Sequence, residues 1–429
     1  MEAKNLEAKN LVNYRRKMWL LLSTGFLIGF FHRYSTGVIS DILAEELSLT
    51  AVNLGTLTSM YFYAYGFLQA PVGILGDKYG VRKVTFTGMI FMSAGSLLFG
   101  LSRSMLSAST GRLLIGVGSA CFFISILKMI AIWFPEEKFT RYNGWTSVMG
   151  NVGALLAASP FSLLISNISW RTAYLILSGI TIFLAVLIWS YVRDYPQEMG
   201  YDNINNIEAD RRSFIEILQG MKVLVTDIQF WLYFIIIFVM MGSVMSLSGL
   251  WIIPFMMHVY GLTRTMAANF ALVLTTGLIA CSALLGWFER KIGNRVKMIR
   301  FSVFFISLIW LYIIFFKGGR PPLFQLIILL FLIGLFGLFV MVTYGSVKNL
   351  YPELKGSSMG LLNPAPFLGT VFFNFLLGWR LDATWQGKIL KGSRIYTLQG
   401  YRQGFIIIFS LLIIILFLTL QLNTDDSIK

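Results

Sequence analysis

Long apolar runs separated by short polar connections dominate the chain from end to end. Most runs reach about 18 residues or more, enough for a helix rising about 1.5 Å per residue to cross the apolar core of a bilayer. The pattern predicts an all-α membrane protein with twelve transmembrane helices, at 18–42, 52–75, 84–102, 110–134, 143–166, 172–192, 230–257, 266–288, 299–316, 323–347, 357–379 and 403–421.

Positive charge is concentrated in alternate connections. Lys and Arg crowd 78–83 and 290–300, whereas the first predicted outer connection carries Asp41, Glu45 and Glu46. Because short basic loops remain on the cytoplasmic side, both termini are predicted to be cytoplasmic in a multi-pass protein of the inner membrane. The connection 380–402 is an exception, since it is basic on the predicted outside.

One long polar connection, 193–229, divides the chain near its midpoint into predicted six-helix bundles at 1–192 and 230–429. The segment GILGDKYGVR at 73–82 returns as GWFERKIGNR at 286–295. FPEEKFTRYNG at 134–144 returns at nearly the same displacement as YPELKGSSMG. Two motifs repeated in the same order indicate duplication of a six-helix unit. Parallel repeats of this kind are a transporter architecture, with a substrate site expected between the halves.

Composition narrows the class of protein. Hydrophobic residues make up 56% of the chain and charged residues 13%, with a mean hydropathy of +0.72, which excludes an ordinary soluble domain. The net charge of +15 flanks the apolar runs, so it indicates membrane orientation rather than nucleic-acid binding. Cys121 and Cys281 are predicted to be small buried side chains. Metal-ligand clusters, phosphate loops and deep His–carboxylate pairs are missing from the sequence, so no cofactor, metal site or enzymatic activity is predicted.

GILGDKYGVRK, between the second and third runs, resembles the G-x-L-a-D-R-x-G-R-K loop of the major facilitator superfamily of secondary transporters. A tight turn between helices needs glycine for close approach and backbone freedom. The resemblance implies that Asp77 locks a gate by meeting a cation or a helix N-terminus, with Arg141 or the start of the eleventh helix as candidates. In the second copy Arg290 replaces this Asp, so a symmetric lock is not expected. The predicted gating residues are Gly73, Asp77, Gly80, Arg82, Lys83, Arg112 and Arg141.

Other segments of the chain also bear on this resemblance. GRLLIGVGSA at 111–120 is similar to the family's R-x-x-x-G-x-G element, whereas the fifth run lacks the Gly-Pro pair of drug–proton antiporters. VRDYPQEMGY, GLWIIPFMMHVYGLTR and SMYFYAYGFLQAPVG look like a branch that contains organic-anion and sugar-phosphate permeases and phagosomal nutrient transporters. The seventh-helix Arg of sugar-phosphate permeases has no counterpart here, which favours a monocarboxylate or an amino acid over a phosphate ester.

Charges inside the predicted spans identify candidate substrate contacts. Arg33 lies in the middle third of the first span and Lys128 about two turns inside the fourth, where a cation is costly unless it faces a cavity or a partner. Lys348 lies at an interface and can snorkel, as Arg112 can. His32 is predicted not to be an obligatory proton carrier, because neighbouring positive charge keeps it neutral. The predicted substrate-binding residues are Arg33, Lys128, Tyr61, Tyr65, Gln69, Trp251 and Asn363; for the aromatic and amide residues, as for Asn374, helix–helix packing is the alternative.

The sequence therefore predicts a monomeric secondary active or facilitative transporter that works by alternating access. Its substrate is expected to be a small organic anion or zwitterion, with a proton as a possible co-substrate. The alternatives are an importer of amino acids, peptides or nucleosides, an exporter of amphipathic compounds and, in another class, a transporter-like ligand sensor.

Overall fold

A computed structural model describes residues 2–202, 222–390 and 392–423 of the 429-residue chain. Most of the predicted linker 193–229 lies outside the described residues. The helices are α1 (Glu2–Val38), α2 (Ser40–Glu46), α3 (Ala51–Gly100), α4 (Met105–Trp133), α5 (Glu136–Leu156), α6 (Ser159–Leu164), α7 (Trp170–Tyr191), α8 (Ile228–Ser246), α9 (Ile252–Tyr260), α10 (Arg264–Ile292), α11 (Arg295–Phe315), α12 (Leu323–Gly337), α13 (Val342–Leu350), α14 (Lys355–Leu362), α15 (Ala365–Ala383) and α16 (Leu398–Leu418). A small antiparallel hairpin pairs β1 (Ile389–Leu390) with β2 (Ser393–Arg394).

Ten helical segments among the described residues are long and apolar enough to cross a membrane. The predicted first and second spans, 18–42 and 52–75, also fold as helix, within α1 and α3. Their hydropathy is lower because they carry polar side chains such as His32, Arg33 and Gln69. Polar residues inside a span are the ones expected to face protein or a cavity rather than lipid.

The chain forms two compact units. The first comprises Met1–Arg33, Phe67–Ala157 and Ile165–Arg211, and the second comprises Tyr34–Gly66, Ala158–Leu164 and Arg212–Lys429. Helices α1 and α3 each contribute one part to the first unit and one part to the second. The division of the sequence into bundles at 1–192 and 230–429 stays a prediction.

Close contact between α3 and α4 organises the first unit. A Cβ atom added to Gly118 would lie 2.3 Å from the carbonyl oxygen of Gly88, and one added to Gly111 would lie 2.9 Å from that of Gly95. Small residues let helix backbones approach, which is the main way helices pack where lipid removes the hydrophobic driving force between them. The glycines of GRLLIGVGSA therefore have a packing role in this unit.

The two copies of the repeated loop share a backbone feature. Gly80 interrupts α3 with φ = 85°, and Gly293 ends α10 with φ = 69°. Both values fall in the region that favours glycine, and an arginine follows two residues later in each case. The duplication inferred from the sequence thus recurs as two turns that both require glycine.

Candidate functional site

Buried positive charge marks the interior of the first unit. Arg112 is fully buried, and its Nη1 donates a 2.6 Å hydrogen bond to the carbonyl oxygen of His32. The guanidinium carbon of Arg33, on α1, lies 4.3 Å from the centroid of the Phe30 ring, and Arg33 is 5% exposed. Among side chains that the structure describes, buried charged residues are arginines, with no buried Asp or Glu. An interior of this polarity favours an anionic ligand.

The ring of His32 is also buried in the first unit. Its centroid lies 5.5 Å from that of Tyr174 on α7 and 6.2 Å from that of Phe31. The imidazole therefore packs among aromatic rings, and the predicted helix-packing role has a physical basis. Whether this residue takes part in proton coupling stays a prediction.

Asp77 contacts a lysine that the sequence analysis did not name as a partner for it. The ammonium nitrogen of Lys128 lies 2.8 Å from Asp77 Oδ1 and also donates to the carbonyl oxygen of Gly76. Arg141, one of the two candidate partners that the sequence analysis named, is exposed. The contact arises because Lys128 lies on α4, which packs against α3 and therefore reaches the Asp77 loop from the side. Lys128 thus has an acidic partner within the protein, which the sequence did not indicate.

Gly80 is held by a carboxylate that the sequence analysis did not single out. Asp194 Oδ1 accepts a 2.9 Å hydrogen bond from the backbone N–H of Arg82, and a Cβ atom on Gly80 would lie 2.3 Å from Asp194 Oδ2. The Arg82 guanidinium stacks over Trp189, 4.4 Å from the ring centroid, while its Nε donates to the Trp189 carbonyl oxygen at 2.8 Å. In the sequence, Asp194 appeared only as part of the segment VRDYPQEMGY, which follows the sixth span.

Two other predicted gating residues, Gly73 and Lys83, are less constrained by their neighbours. Gly73 has Ile124 as the nearest neighbour of an added Cβ atom, at 3.9 Å, so this position has room for a methyl group. Lys83 is exposed on α3. Rigidity of the loop therefore resides at Gly80 and Arg82.

The predicted aromatic stripe of the second helix is buried. Tyr61 and Tyr65 stack with ring centroids 5.8 Å apart at an interplanar angle of 12°, and Tyr65 meets Phe367 on α15 at 4.8 Å. Both tyrosines belong to the second unit, whereas Gln69, also buried, belongs to the first. The stripe thus includes a packing contact between α3 and α15 in the second unit.

Trp251 and the asparagines lie in the second unit. Trp251 is 1% exposed and closes a π-helical turn, Leu247–Trp251, between α8 and α9. Single π turns inside α-helices are frequent at functional sites. Asn374 accepts a 2.7 Å hydrogen bond from Ser246 and donates one of 3.3 Å to Ser59, while Asn363 accepts one of 3.4 Å from Tyr344. Asn374 is therefore a link between helices.

A cavity of about 570 Å³ opens within the second unit, at the predicted outer ends of its helices. Trp251 contributes to its wall, and so do the charged residues Asp41, Arg264 and Arg394. Arg264 binds Asp41 through two nitrogens, at 2.9 Å and 2.6 Å. Arg394 lies 3.3 Å from Asp382 Oδ1. Sequence reasoning missed these pairs because the partners are hundreds of residues or a whole loop apart, and no spacing rule connects them.

Comparison with known proteins assigns this helical framework. The profile of the Major Facilitator Superfamily matches residues 21–374. The chain is 26% identical over 292 residues to an uncharacterized transporter, YybO, of Bacillus subtilis (strain 168), covering 65% of this chain and 67% of that one. It is 24% identical over 322 residues to the hexuronate transporter of the same organism, covering 67% and 76%.

Among solved structures, the fold resembles a bacterial homologue of the human lysosomal transporter Spinster in an inward-facing, unoccupied conformation. The TM-score is 0.74 at 17% sequence identity, over 95% of this chain and 96% of the other. This likeness and the family match confirm the predicted all-α major facilitator fold, in a multi-pass membrane protein that transports small molecules. With most of its length matched by the family profile, the chain belongs to the Major Facilitator Superfamily.

Proposed function

We propose that this protein transports a small organic anion, of the sugar-acid class, and that Arg33 binds the substrate carboxylate. The observation that carries the proposal is the buried positive charge of the first unit, where Arg33 and Arg112 are embedded in helices. Guanidinium groups in such an interior can form charge-assisted hydrogen bonds with a bound carboxylate, which are stronger than those between neutral groups. The name of the hexuronate transporter supports the same class, because a hexuronate combines one carboxylate with several hydroxyl groups.

The other predicted substrate contacts have weaker support. Lys128 can contribute only after it releases Asp77, so we propose it as a secondary contact. Tyr61, Tyr65, Gln69, Trp251 and Asn363 offer hydroxyl, amide and indole groups suited to a polyhydroxylated substrate, and each stays a proposed contact.

The proposal also covers the membrane, the oligomeric state, the orientation and the coupling of the transporter. We place the protein in the inner membrane as a monomer, with both termini in the cytoplasm, on the charge asymmetry of its loops. Because the buried charged residues of the described spans are arginines, a co-transported proton would travel with the anion, or the carrier would exchange anions.

Uptake by proteoliposomes tests the proposal. Labelled glucuronate should accumulate inside liposomes that contain the wild-type protein, and unlabelled galactonate should compete, whereas glucose, a nucleoside and a neutral amino acid should not. A hexose phosphate competitor separates carboxylate from phosphate-ester selectivity. Arg33→Gln should lower uptake about 100-fold, in line with the loss of hydrogen bonds to a charged group.

Arg103→Gln is the matched control, because Arg103 is exposed in the same unit. It should retain uptake within about twofold, as expected for a surface change. Transport of a neutral solute at wild-type rates by the Arg33 variant would exclude the anion hypothesis. A pH gradient imposed on the same liposomes separates proton-coupled uptake from exchange, and His32→Gln should respond to that gradient as the wild type does.

A further inference from the structure

Asp382 lies at the end of α15 but binds the beginning of another helix. Its Oδ1 accepts a 3.1 Å hydrogen bond from the backbone N–H of Ala51, and its Oδ2 accepts one of 2.8 Å from that of Val52. These are the first two residues of α3, and the N–H groups there have no acceptor within their own helix. The carboxylate therefore caps α3 from outside, at the positive end of its dipole. All three residues belong to the second unit.

The position of Asp382 in its own helix is unfavourable. It is the penultimate residue of α15, where the helix dipole is negative and cations are preferred. Helix α3 also has a local cap, because Thr50 Oγ1 accepts a 3.2 Å hydrogen bond from the N–H of Asn53. Thr50 thus serves the third position of α3 and Asp382 the first two, and the Tyr396 hydroxyl also accepts from the Ala51 N–H, at 2.9 Å. Capping of α3 therefore accounts for an acidic residue at a position where the dipole of α15 itself disfavours negative charge.

Two side chains from the following hairpin and loop fix the carboxylate. The hydroxyl of Tyr396 donates a 2.8 Å hydrogen bond to Asp382 Oδ1, and Arg394 Nη1 lies 3.3 Å from the same oxygen. Burial and this hydrogen bond raise the pKa of Tyr396 above its usual range, so its hydroxyl remains a donor. Asp382 itself is only 18% exposed. The carboxylate therefore has four donors arranged around it.

Backbone contact continues along the two helices. A Cβ atom on Gly378 would lie 2.6 Å from the carbonyl oxygen of Ala51, and one on Gly55 would lie 2.5 Å from that of Asn374. The first turn of α3 and the last turns of α15 thus touch without intervening side chains. Such an interface is either closed or fully separated, because packed surfaces are not continuously deformable.

We propose that Asp382 is a latch that holds the start of α3 on the end of α15, and that its release opens this end of the carrier during the transport cycle. The inference rests on the proposed function, since a carrier that alternates must separate helices of its two predicted halves, 1–192 and 230–429, at one end at a time. A helix cap supplied from the opposite half suits this task, because it adds no bulk to the opening and can be made and broken without unfolding either helix.

Alkylation of a single cysteine tests the latch. In a background of Cys121→Ser and Cys281→Ser, Leu54→Cys places a thiol one turn into α3, at a position that is 6% exposed in the closed state. The purified protein is reconstituted in nanodiscs and treated with a charged maleimide. Asp382→Asn, which keeps the size of the side chain and removes its charge, should raise the alkylation rate about tenfold, as expected when a charged cap is lost.

Two further variants keep the test decisive. Tyr396→Phe leaves the carboxylate in place but removes one of its donors and one acceptor of the Ala51 N–H, so it should raise the rate about threefold. Glu45→Gln removes an exposed acid from the same unit and the same predicted end, and should leave the rate unchanged. An Asp382→Asn rate within twofold of the parent, or an equal increase in Glu45→Gln, would overturn the proposal. If Asp382→Asn does not yield folded protein, an unchanged rate in Tyr396→Phe overturns it.

The assay needs no substrate, so its outcome is independent of which solute is carried. Failure of glucuronate uptake together with faster alkylation would reject the proposed substrate and retain the latch. Normal uptake together with unchanged alkylation would reject the latch and retain the proposed function.

Discussion

Two aspartates at helix junctions, Asp77 and Asp382, show how differently one residue type can be used. Asp77 is 75% exposed and pairs with one ammonium group, that of Lys128, which is 22% exposed. Asp382 is 18% exposed and receives donors from two backbone positions, a phenol and a guanidinium. Solvent screens the exposed Asp77–Lys128 contact strongly and the mostly buried contacts of Asp382 only weakly. Burial and preorganised donors, rather than charge alone, decide which carboxylate stabilises its helices more.

The largest expected effect in the Asp77 loop comes from its glycine. Gly80 has φ = 85° and ψ = 163°, a region that is almost exclusive to glycine, and Asp194 occupies the volume of a Cβ atom. Gly80→Ala should lower the free energy of unfolding by about 2–3 kcal/mol, measured by thermal unfolding of the purified protein. Gly73→Ala is the control, since its methyl group fits. Equal midpoints for the two variants would contradict the assignment of rigidity to Gly80.

A medium effect is expected for Asp41 and Arg264. The two side chains are about three-quarters buried and joined through two nitrogens, a geometry that resists thermal disorder better than a single contact. A double-mutant cycle with Asp41→Asn and Arg264→Gln should give a coupling energy of about 1 kcal/mol. Additive effects of the two changes on the unfolding midpoint would show that the pair contributes nothing net.

The smallest effect is predicted for Asp77 and Lys128. Because Asp77 is so exposed, a cycle with Asp77→Asn and Lys128→Gln should give a coupling energy below about 0.5 kcal/mol. This value concerns stability only, and the gating role implied for Asp77 stays a prediction that transport assays of Asp77→Asn can test. A coupling above about 1.5 kcal/mol would place this contact beside the Asp382 latch and remove the contrast between them.

The fold was predictable because lipid imposes a simple rule on sequence. Spans must be long, apolar and helical, so the apolar runs alone located them. The repeated motif that contains Gly80 and Gly293 likewise indicated the duplication from the sequence alone. Polar partners were not predictable in the same way. The contacts Lys128–Asp77, Asp41–Arg264 and Asp382–Ala51 join residues 51, 223 and 331 positions apart, and tertiary packing alone brings them together.

The candidate site was predicted only in part. Burial of Arg33 follows from its depth in an apolar run, and the structure agrees. The environment of Lys128 did not follow, because its distance from the helix end says nothing about which neighbour it meets. Asp194 could not be recognised from the sequence, because an acidic residue after a span looks like an ordinary loop residue. Its importance follows only from its contact with the turn at Gly80.

The π-helical turn at Leu247–Trp251 changes how the seventh span must be drawn. A π turn accommodates one residue more than an α turn, and each residue of an α-helix advances about 100° around the axis. A helical wheel drawn continuously from Ile228 to Tyr260 therefore assigns His258 and its neighbours to a side of the helix that is off by roughly one residue. Deleting a single position within the turn would convert it to an ordinary α turn and leave α9 facing as it does. A deletion elsewhere in the span would rotate the residues that follow by about 100°, so a change of one residue in length is best tolerated at the turn.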